Sequence, residues 1–344
     1  MTFFACRRHI AQTAGVLVLG WSAAAGIHLE TQPPAFSAAN LAQAQPTPPS
    51  IASQDDRVSA LQLDATGSLW IGSWQGLARI NPNTGRVQAR VSLPDQTIGA
   101  MALDRVGRLW VGTYRGLHRV EPRTNEITAQ NFTLPSNRIL ALQIDRRGFL
   151  WVGTDNGLAM ISPDEGLLMT TYRELPGNSG NVLSLDAEGQ LWVGTAEGLV
   201  QINTASAAPI ARIRDLPGQA VQTLTLGSDN NLWVGTPEGL LVVDPKQRAV
   251  LRSVTPFRGQ EVTVAQFDRL GRLWVGTNNG LFQVNPFNGA IVTQVAGLPS
   301  SRIVSLAADA GNKIWVGTRQ GLGWVSLTTG RARPAFVFSR QSSP

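Results

Sequence analysis

Short apolar runs alternating with polar positions follow one another along most of the chain, and they return in a fixed order. Residues 138–175 show it well: RILALQID, FLWVGT, GLAMIS and GLLMTTYREL. Runs of this length, alternating between two faces and flanked by turn formers, predict strands joined by tight hairpins. The unit then recurs. Trp70, Trp110, Trp151, Trp192, Trp233, Trp274 and Trp315 are separated by 40 residues once and by 41 residues five times. Short strands at a period of about 40–50 residues predict a propeller. The expected fold class is all-β: a seven-bladed β-propeller, four antiparallel strands per blade, with about 41 residues per repeat.

The turns carry signals of their own. Asp-x-x-Gly joins the first two strands of a unit, with the Asp at Asp64, Asp104, Asp145, Asp186, Asp268 and Asp309; Gly227 is the exception. An Asp opens a type I turn by bonding back to the backbone, and a left-handed residue follows. Where that Gly is absent, Asn230 or Asn312 replaces it, the non-glycine type that best tolerates left-handed backbone. Asn156-Gly157 and Asn279-Gly280 mark the second hairpin. The seven tryptophans fall mid-strand, each followed two positions later by Gly, which reads as packing between blades and not as stacking platforms. The segment RARPAFVFSR supplies the outer strand of the last blade; whether residues 50–57 latch the ring with an extra strand stays open.

The N-terminal segment breaks this pattern. Arg7, Arg8 and His9 precede AGVLVLGWSAAAGI, and small residues follow at 23–25 and 42–44, the order of a secretory signal. Left uncleaved it would serve as a membrane anchor, but its apolar length falls short of the roughly 20 residues of a span. Residues 1–44 are expected to be a signal peptide, 45–56 a Pro/Ala/Gln-rich linker, and 57–340 the propeller. The mature protein is expected to be a periplasmic or extracellular monomer.

Composition narrows the chemistry. The formal charge is +6, carried by arginine, since Lys246 and Lys313 are the only lysines. It is spread without a basic run, so no nucleic-acid partner is expected. Cys6, the only cysteine, precedes the apolar segment, and His118 is the only histidine beyond residue 44. Thiolate metal sites are thereby excluded and a His-centred triad disfavoured; no metal or cofactor is expected.

The consensus V-x-x-L-x-x-D-x-x-G-x-L-W-V-G-T-x-x-G-L-x-x-I, repeated from Arg57 to Phe338, closely resembles the two-component regulator propeller repeat. The resemblance implies the exported sensory half of membrane-spanning hybrid histidine kinases, several of which recognise carbohydrate. Past the ring this sequence shows no second span, linker domain or kinase, so the resemblance implies the recognition surface and not a signalling output. In blade number and repeat length the chain also resembles the streptogramin-inactivating lyases, whose chemistry uses a histidine base beside a metal.

Function is expected on the face where the second hairpins meet the connections between blades. The hairpin tips hold the variable pair of G-T-x-x-G-L, and the connections follow Leu-Pro or its equivalent. Trp74, Tyr114, Arg115, Asn156, Asn278 and Arg319 at tips, with Arg138, Arg258 and Arg302 in connections, are the candidate ligand-binding residues. Arginine offers paired bonds to carboxylate or phosphate, and an aromatic face stacks on a ring. The expected activity is non-catalytic, sensor-like recognition of a small polar ligand, carbohydrate or anionic, or of a peptide or protein partner. The alternatives are a lyase, a glycosidase using Glu197 and Glu238 at about 5–10 Å, or a pure interaction scaffold. Trp324 and His118 read as packing residues.

Overall fold

The computed structural model describes residues 56–93, 97–131 and 133–338. The expected signal peptide and nearly all of the linker lie outside the described residues, as do Asp95 and Gln96 of the first connection. The described residues belong to one compact unit, Ala52–Pro344.

Seven four-stranded antiparallel sheets occupy residues 58–91, 98–131, 139–172, 182–213, 223–253, 262–295 and 303–335, each built from one contiguous stretch. These are blades 1 to 7. The innermost strands are Val58–Leu63, Ile98–Leu103, Ile139–Ile144, Val182–Leu185, Thr223–Leu226, Val262–Phe267 and Ile303–Ala307. Each lies against the next, and the seventh lies against the first, so the ring is closed. The outer strand of blade 7 is Ala332–Ala335, as the C-terminal segment predicted. Asp56 and Arg57 lie outside any strand, so among the described residues nothing N-terminal to blade 1 joins the blade 7 sheet.

The tryptophans explain the closure. Six of the seven are at most 1% exposed, and Trp274 is 3% exposed. Each packs into the core of the following blade: Trp70 with Ile98 and Val111, Trp233 with Val262 and Val275, and Trp315 with Val58 and Ile71. Burying roughly 150–250 Å² of aromatic surface at about 25 cal/mol per Å² gives each indole ~4–6 kcal/mol of favourable transfer energy. The glycine two residues on is required by the same contact. A Cβ on Gly72 would stand 2.7 Å from Ile98 Cγ2, and one on Gly317 would stand 2.5 Å from Val58 O.

The Asp-x-x-Gly turn does more than reverse the chain. Asp64 Oδ1 accepts from Thr66 N and Ser68 N at 2.9 and 3.0 Å, while Oδ2 accepts from the indole Nε1 of Trp70 at 2.9 Å. The indole bond recurs at Asp104–Trp110, Asp145–Trp151, Asp186–Trp192 and Asp268–Trp274, at 2.9–3.2 Å. Gly67 has φ 79°, and the two substitutes Asn230 and Asn312 have φ 61° and 56°, the left-handed backbone expected of them. Blade 7 departs from the expectation. Asp309 is itself left-handed (φ 60°), its carboxylate accepts from Arg269 N of blade 6, and Trp315 Nε1 donates to Ala310 O instead.

Cations strap neighbouring blades together on the face that carries these Asp-x-x-Gly turns. Arg79 donates to Pro122 O, Arg108 to Pro163 O and Arg252 to Pro286 O, at 2.7–2.8 Å, each carbonyl lying in the next blade's outer turn. Lys313 makes the equivalent strap across the closing seam, to Pro82 O (2.6 Å) and Asn83 O (2.9 Å), with its Nζ over the Trp315 and Trp324 rings. Trp324 is thus a packing residue, as its isolated position in the repeat implied.

Candidate functional site

The second hairpins have a determined backbone and unconstrained tips. In blade 2, Thr113 Oγ1 accepts from Arg115 N (3.1 Å) and donates to Gly116 O (3.0 Å). Ser73 and the buried threonines 154, 195, 236, 277 and 318 do the same in the other blades. The glycine that follows has φ between 105° and 153°, a region side chains rarely adopt. Thr and Gly thus hold the turn, and the two residues between them vary without cost to it.

Backbone bonds bring the blade connections to these tips. Tyr114 N donates to Thr97 O (3.1 Å), Arg319 N to Arg302 O (3.1 Å), Asp155 N to Arg138 O (3.4 Å), and Gly259 N to Glu238 O (2.8 Å). The two loop sets share one face, as the sequence predicted.

On that face Trp74 and Tyr114 are 41% and 39% exposed. The Arg138 guanidinium lies 4.8 Å from the Tyr114 ring centroid, joining blades 2 and 3. Arg302 Nη2 stands 3.8 Å from Glu261 Oε1. Arg115, Asn156 and Arg319 are exposed at their tips, and Asn278 is half-buried with Oδ1 lacking a hydrogen-bond partner. Arg258 is exposed just after the one-turn helix Thr255–Phe257, where a backbone bond to Thr255 O holds it. The tips of Trp74, Asn156 and Arg258 thus belong to the face by position and not by a side-chain bond to another candidate.

Three further residues belong here. Arg57 and Glu261 occupy the register position of Arg138 and Arg302 in their own blades, immediately before the innermost strand; that shared register was the available signal. Gln222, at the start of the innermost strand of blade 5, donates to Glu261 Oε1 at 3.1 Å while its own Oε1 stays buried and unpartnered. Arg57 Nε is likewise buried without a partner.

Charge is unevenly spread over the face. Blades 7, 1, 2 and 3 contribute Arg302, Arg319, Arg57, Arg115 and Arg138 beside the two exposed rings. Blades 3 to 6 contribute Asp155, Glu197, Glu238 and Glu261, with Arg258 as a cation among them. In the basic half, at the seam of blades 7 and 1, lies a cavity of about 420 Å³. Val58, Leu322 and Val337 give it apolar walls, and Asp56, Gln75 and Gln320 a polar rim. Gln75 Nε2 bonds Asp56 Oδ1 at 3.1 Å, and its chain neighbour is Trp74, as Arg319 neighbours Gln320.

His118 is 1% exposed, inside the third strand of blade 2 and away from this face. Among the described residues no three His, Cys, Asp or Glu side chains converge as a metal site would.

The repeat model described as two component regulator propeller matches residues 92–115, 133–156, 215–238 and 297–320. No curated protein shows significant similarity to the chain. Among solved structures, the chain is similar to the extracellular domain of a hybrid two component system, BT4673 of B. thetaiotaomicron, at 22% identity and TM-score 0.67. That match covers 79% of this chain and 40% of the other. A second such domain, BT3049 of the same organism, is 18% identical with TM-score 0.67, covering 78% and 40%. The chain therefore spans less than half the length of these sensor domains. Virginiamycin B lyase from Staphylococcus aureus, in a catalytically inactive form with quinupristin, is 15% identical with TM-score 0.68. That match covers 79% of this chain and 95% of the lyase. At these identities the likeness is one of fold. The chain is a seven-bladed propeller, and four of its segments match the two component regulator propeller repeat.

Proposed function

We propose that this propeller is an exported, non-catalytic recognition domain that takes a small polar ligand bearing an anionic group. The observation that carries the reading is the cavity at the 7/1 seam. It lies in the basic half of the loop face, beside Trp74 and Arg319, where apolar walls and a few convergent polar groups form the usual profile of a small-molecule site. Arg57 and Arg319 adjoin Asp56 and Gln320 of the lining in sequence and bring charge for a carboxylate or phosphate to a cavity whose own charged group is Asp56. Export is supported by the N-terminal segment and by the extracellular setting of the sensor domains of like fold.

Lyase chemistry fits this chain poorly, because His118 is buried in blade 2 and no other histidine lies among the described residues. Glu197 and Glu238 are exposed on adjacent blades of the acidic half, away from the cavity.

The test is thermal unfolding of the full chain with sugar acids, dicarboxylates, phosphate esters and their neutral counterparts. A ligand at about 100 times its Kd stabilises by ~2.7 kcal/mol, a shift of a few degrees at this size. The expected result is stabilisation by an anionic member, lost in Arg319→Ala and in Trp74→Ala. Equal stabilisation by neutral members, or an unchanged shift in both variants, overturns the reading. A silent panel with a protein retained from envelope extract makes the face a protein-binding scaffold instead.

A further inference from the structure

Blade 7 carries cations without the counter-charge that other blades provide. Asp309 stands four residues before Lys313, the interval that separates Asp104 from Arg108 and Asp268 from Arg272. Those two pairs close at 2.7 and 2.6 Å. In blade 7 the pair does not form. The Asp309 carboxylate accepts from Arg269 N of blade 6, and among the described residues Lys313 has only carbonyl partners. Burial holds the Lys313 pKa below its ordinary value. An ammonium has three N–H donors, of which Pro82 O and Asn83 O take two.

Two arginines share its sheet face. Lys313 pairs across the strands with Ser326, and Trp324 pairs with Arg333. Arg331 stands opposite Ser326, its carbonyl accepting from Ser326 N at 3.0 Å. Directly opposed residues of an antiparallel pair lie on one face, so these side chains form a single surface. With Gly311, Asn312 and Thr329 they line a hollow of about 310 Å³, on the face that carries the Asp-x-x-Gly turns. The lining holds three cations and no carboxylate. Arg331 and Arg333 are exposed, and among the described residues neither guanidinium has a hydrogen-bond or ion-pair partner. Ser326 Oγ accepts from Thr328 N and Thr329 N, and Thr329 Oγ1 accepts from Arg331 N, so both hydroxyls keep a proton to donate. Donors thus dominate this wall.

We propose that this hollow is a second binding site, for a phosphate monoester. A phosphate group carries close to two negative charges at neutral pH and offers three strong acceptor oxygens. It therefore supplies both the counter-charge that Asp309 withholds and the acceptors that the wall lacks. Arg331 and Arg333 hold its oxygens, the planar guanidinium being matched to phosphate geometry. Lys313 adds its third N–H, and the Ser326 and Thr329 hydroxyls donate from the turn. The hollow has room beyond the phosphate, where the organic body rests against half-buried Trp324. At that register position the other six blades carry no aromatic side chain. A carboxylate, with one charge and two oxygens, would satisfy fewer of these groups. The hollow shares no residue with the loop-face cavity, so the proposal stands whether or not the loop-face reading does.

The test is calorimetric titration of the full chain with phenyl phosphate and with phenyl sulfate, a monoanion of similar shape. The expected result is saturable binding, tighter for the phosphate. Between about pH 7.5 and about pH 5 that binding weakens about tenfold, because the second phosphate proton returns with a pKa of about 6. Replacing both arginines, Arg331→Gln with Arg333→Gln, removes charge-assisted bonds at an exposed edge and weakens binding at least about 10-fold. Arg319→Ala, on the loop face, leaves it unchanged. Sedimentation with phosphatidylcholine vesicles, with and without phosphatidic acid, identifies the source of the ester. Binding to the acidic vesicles alone, lost in the double variant, makes it a lipid headgroup; phenyl phosphate binding without it makes it a soluble molecule. Binding of neither, equal affinity for phenyl sulfate, or binding unchanged in the double variant overturns the proposal. So does loss of binding in Arg319→Ala, which would assign the ester to the loop face.

Discussion

Replacing Asp186 by Asn tests the bond between turn and tryptophan at its cleanest occurrence. Asp186 is 2% exposed, and among the described residues no cation pairs with it. Its Oδ1 accepts from Glu188 N (3.1 Å) and Gln190 N (2.8 Å), and its Oδ2 from Trp192 Nε1 (2.9 Å) and Gln201 Nε2 (3.1 Å). An Asn has the same shape but only one acceptor atom. Whichever way its amide turns, two N–H groups face an NH₂ instead of an oxygen. A buried donor left unsatisfied costs about 1–3 kcal/mol, so the expected loss is ~2–6 kcal/mol. At about 2–4 °C per kcal/mol for a domain near this size, Tm falls by at least ~4 °C. The assay is calorimetric melting beside urea unfolding, with the surface change Asp164→Asn as control. A loss within about 0.5 kcal/mol of that control, the usual range for surface changes, would refute the claim that this carboxylate organises blade 4.

Three other outcomes follow from the packing. Gly317→Ala drives a methyl against Val58 O and Ser305 Oγ at the closing seam, and overpacking of this kind costs about 1–3 kcal/mol in unfolding experiments. Lys313→Met removes the strap to Pro82 O and Asn83 O; a loss of ~1–3 kcal/mol is expected, with faster protease cleavage near the seam. The third concerns acid. Burial pushes the Asp268 carboxyl up, but bonds from Trp274 Nε1 and from the backbone and guanidinium of Arg272 outweigh it and hold it below its ordinary value. A carboxyl depressed by folding adds stability that is complete above its unfolded pKa of about 3.9 and is lost as pH falls through the lower folded value. Asp268→Asn should therefore be less stable at neutral pH and show a flatter decline below about pH 4; parallel acid limbs in the two proteins would contradict this.

The ring was legible because its repeat is linear information. The Trp spacing, the Gly two residues later and the left-handed Asn230 and Asn312 each report a local constraint that survives without coordinates. The shared loop face was legible for the same reason, since register fixes which hairpins point which way. The bond from Asp Oδ2 to the indole was hidden, although the constant six-residue interval from Asp64 to Trp70 was its trace. Asp309 shows the limit of such a pattern: the residue is in place, but a left-handed backbone turns its carboxylate toward Arg269 of the neighbouring blade. Glu261 and Gln222 escaped notice because their relation runs between blades, through side-chain bonds that no single repeat contains, whereas Arg57 shares the register of Arg138 and Arg302 and was open to sequence reading.

Closure between blades 7 and 1 uses the same Trp-to-core packing as the other seams and the same kind of cation-to-carbonyl strap as the 1/2, 2/3 and 5/6 seams, without a peptide connection. The point at which the chain enters the ring is therefore arbitrary with respect to its energetics. Asp56 and Phe338 line one cavity, so a short linker suffices to join them. A gene rearranged to begin at another connection would encode the same ring with its opening moved, and the connections between blades become positions at which to insert, tether or split the protein.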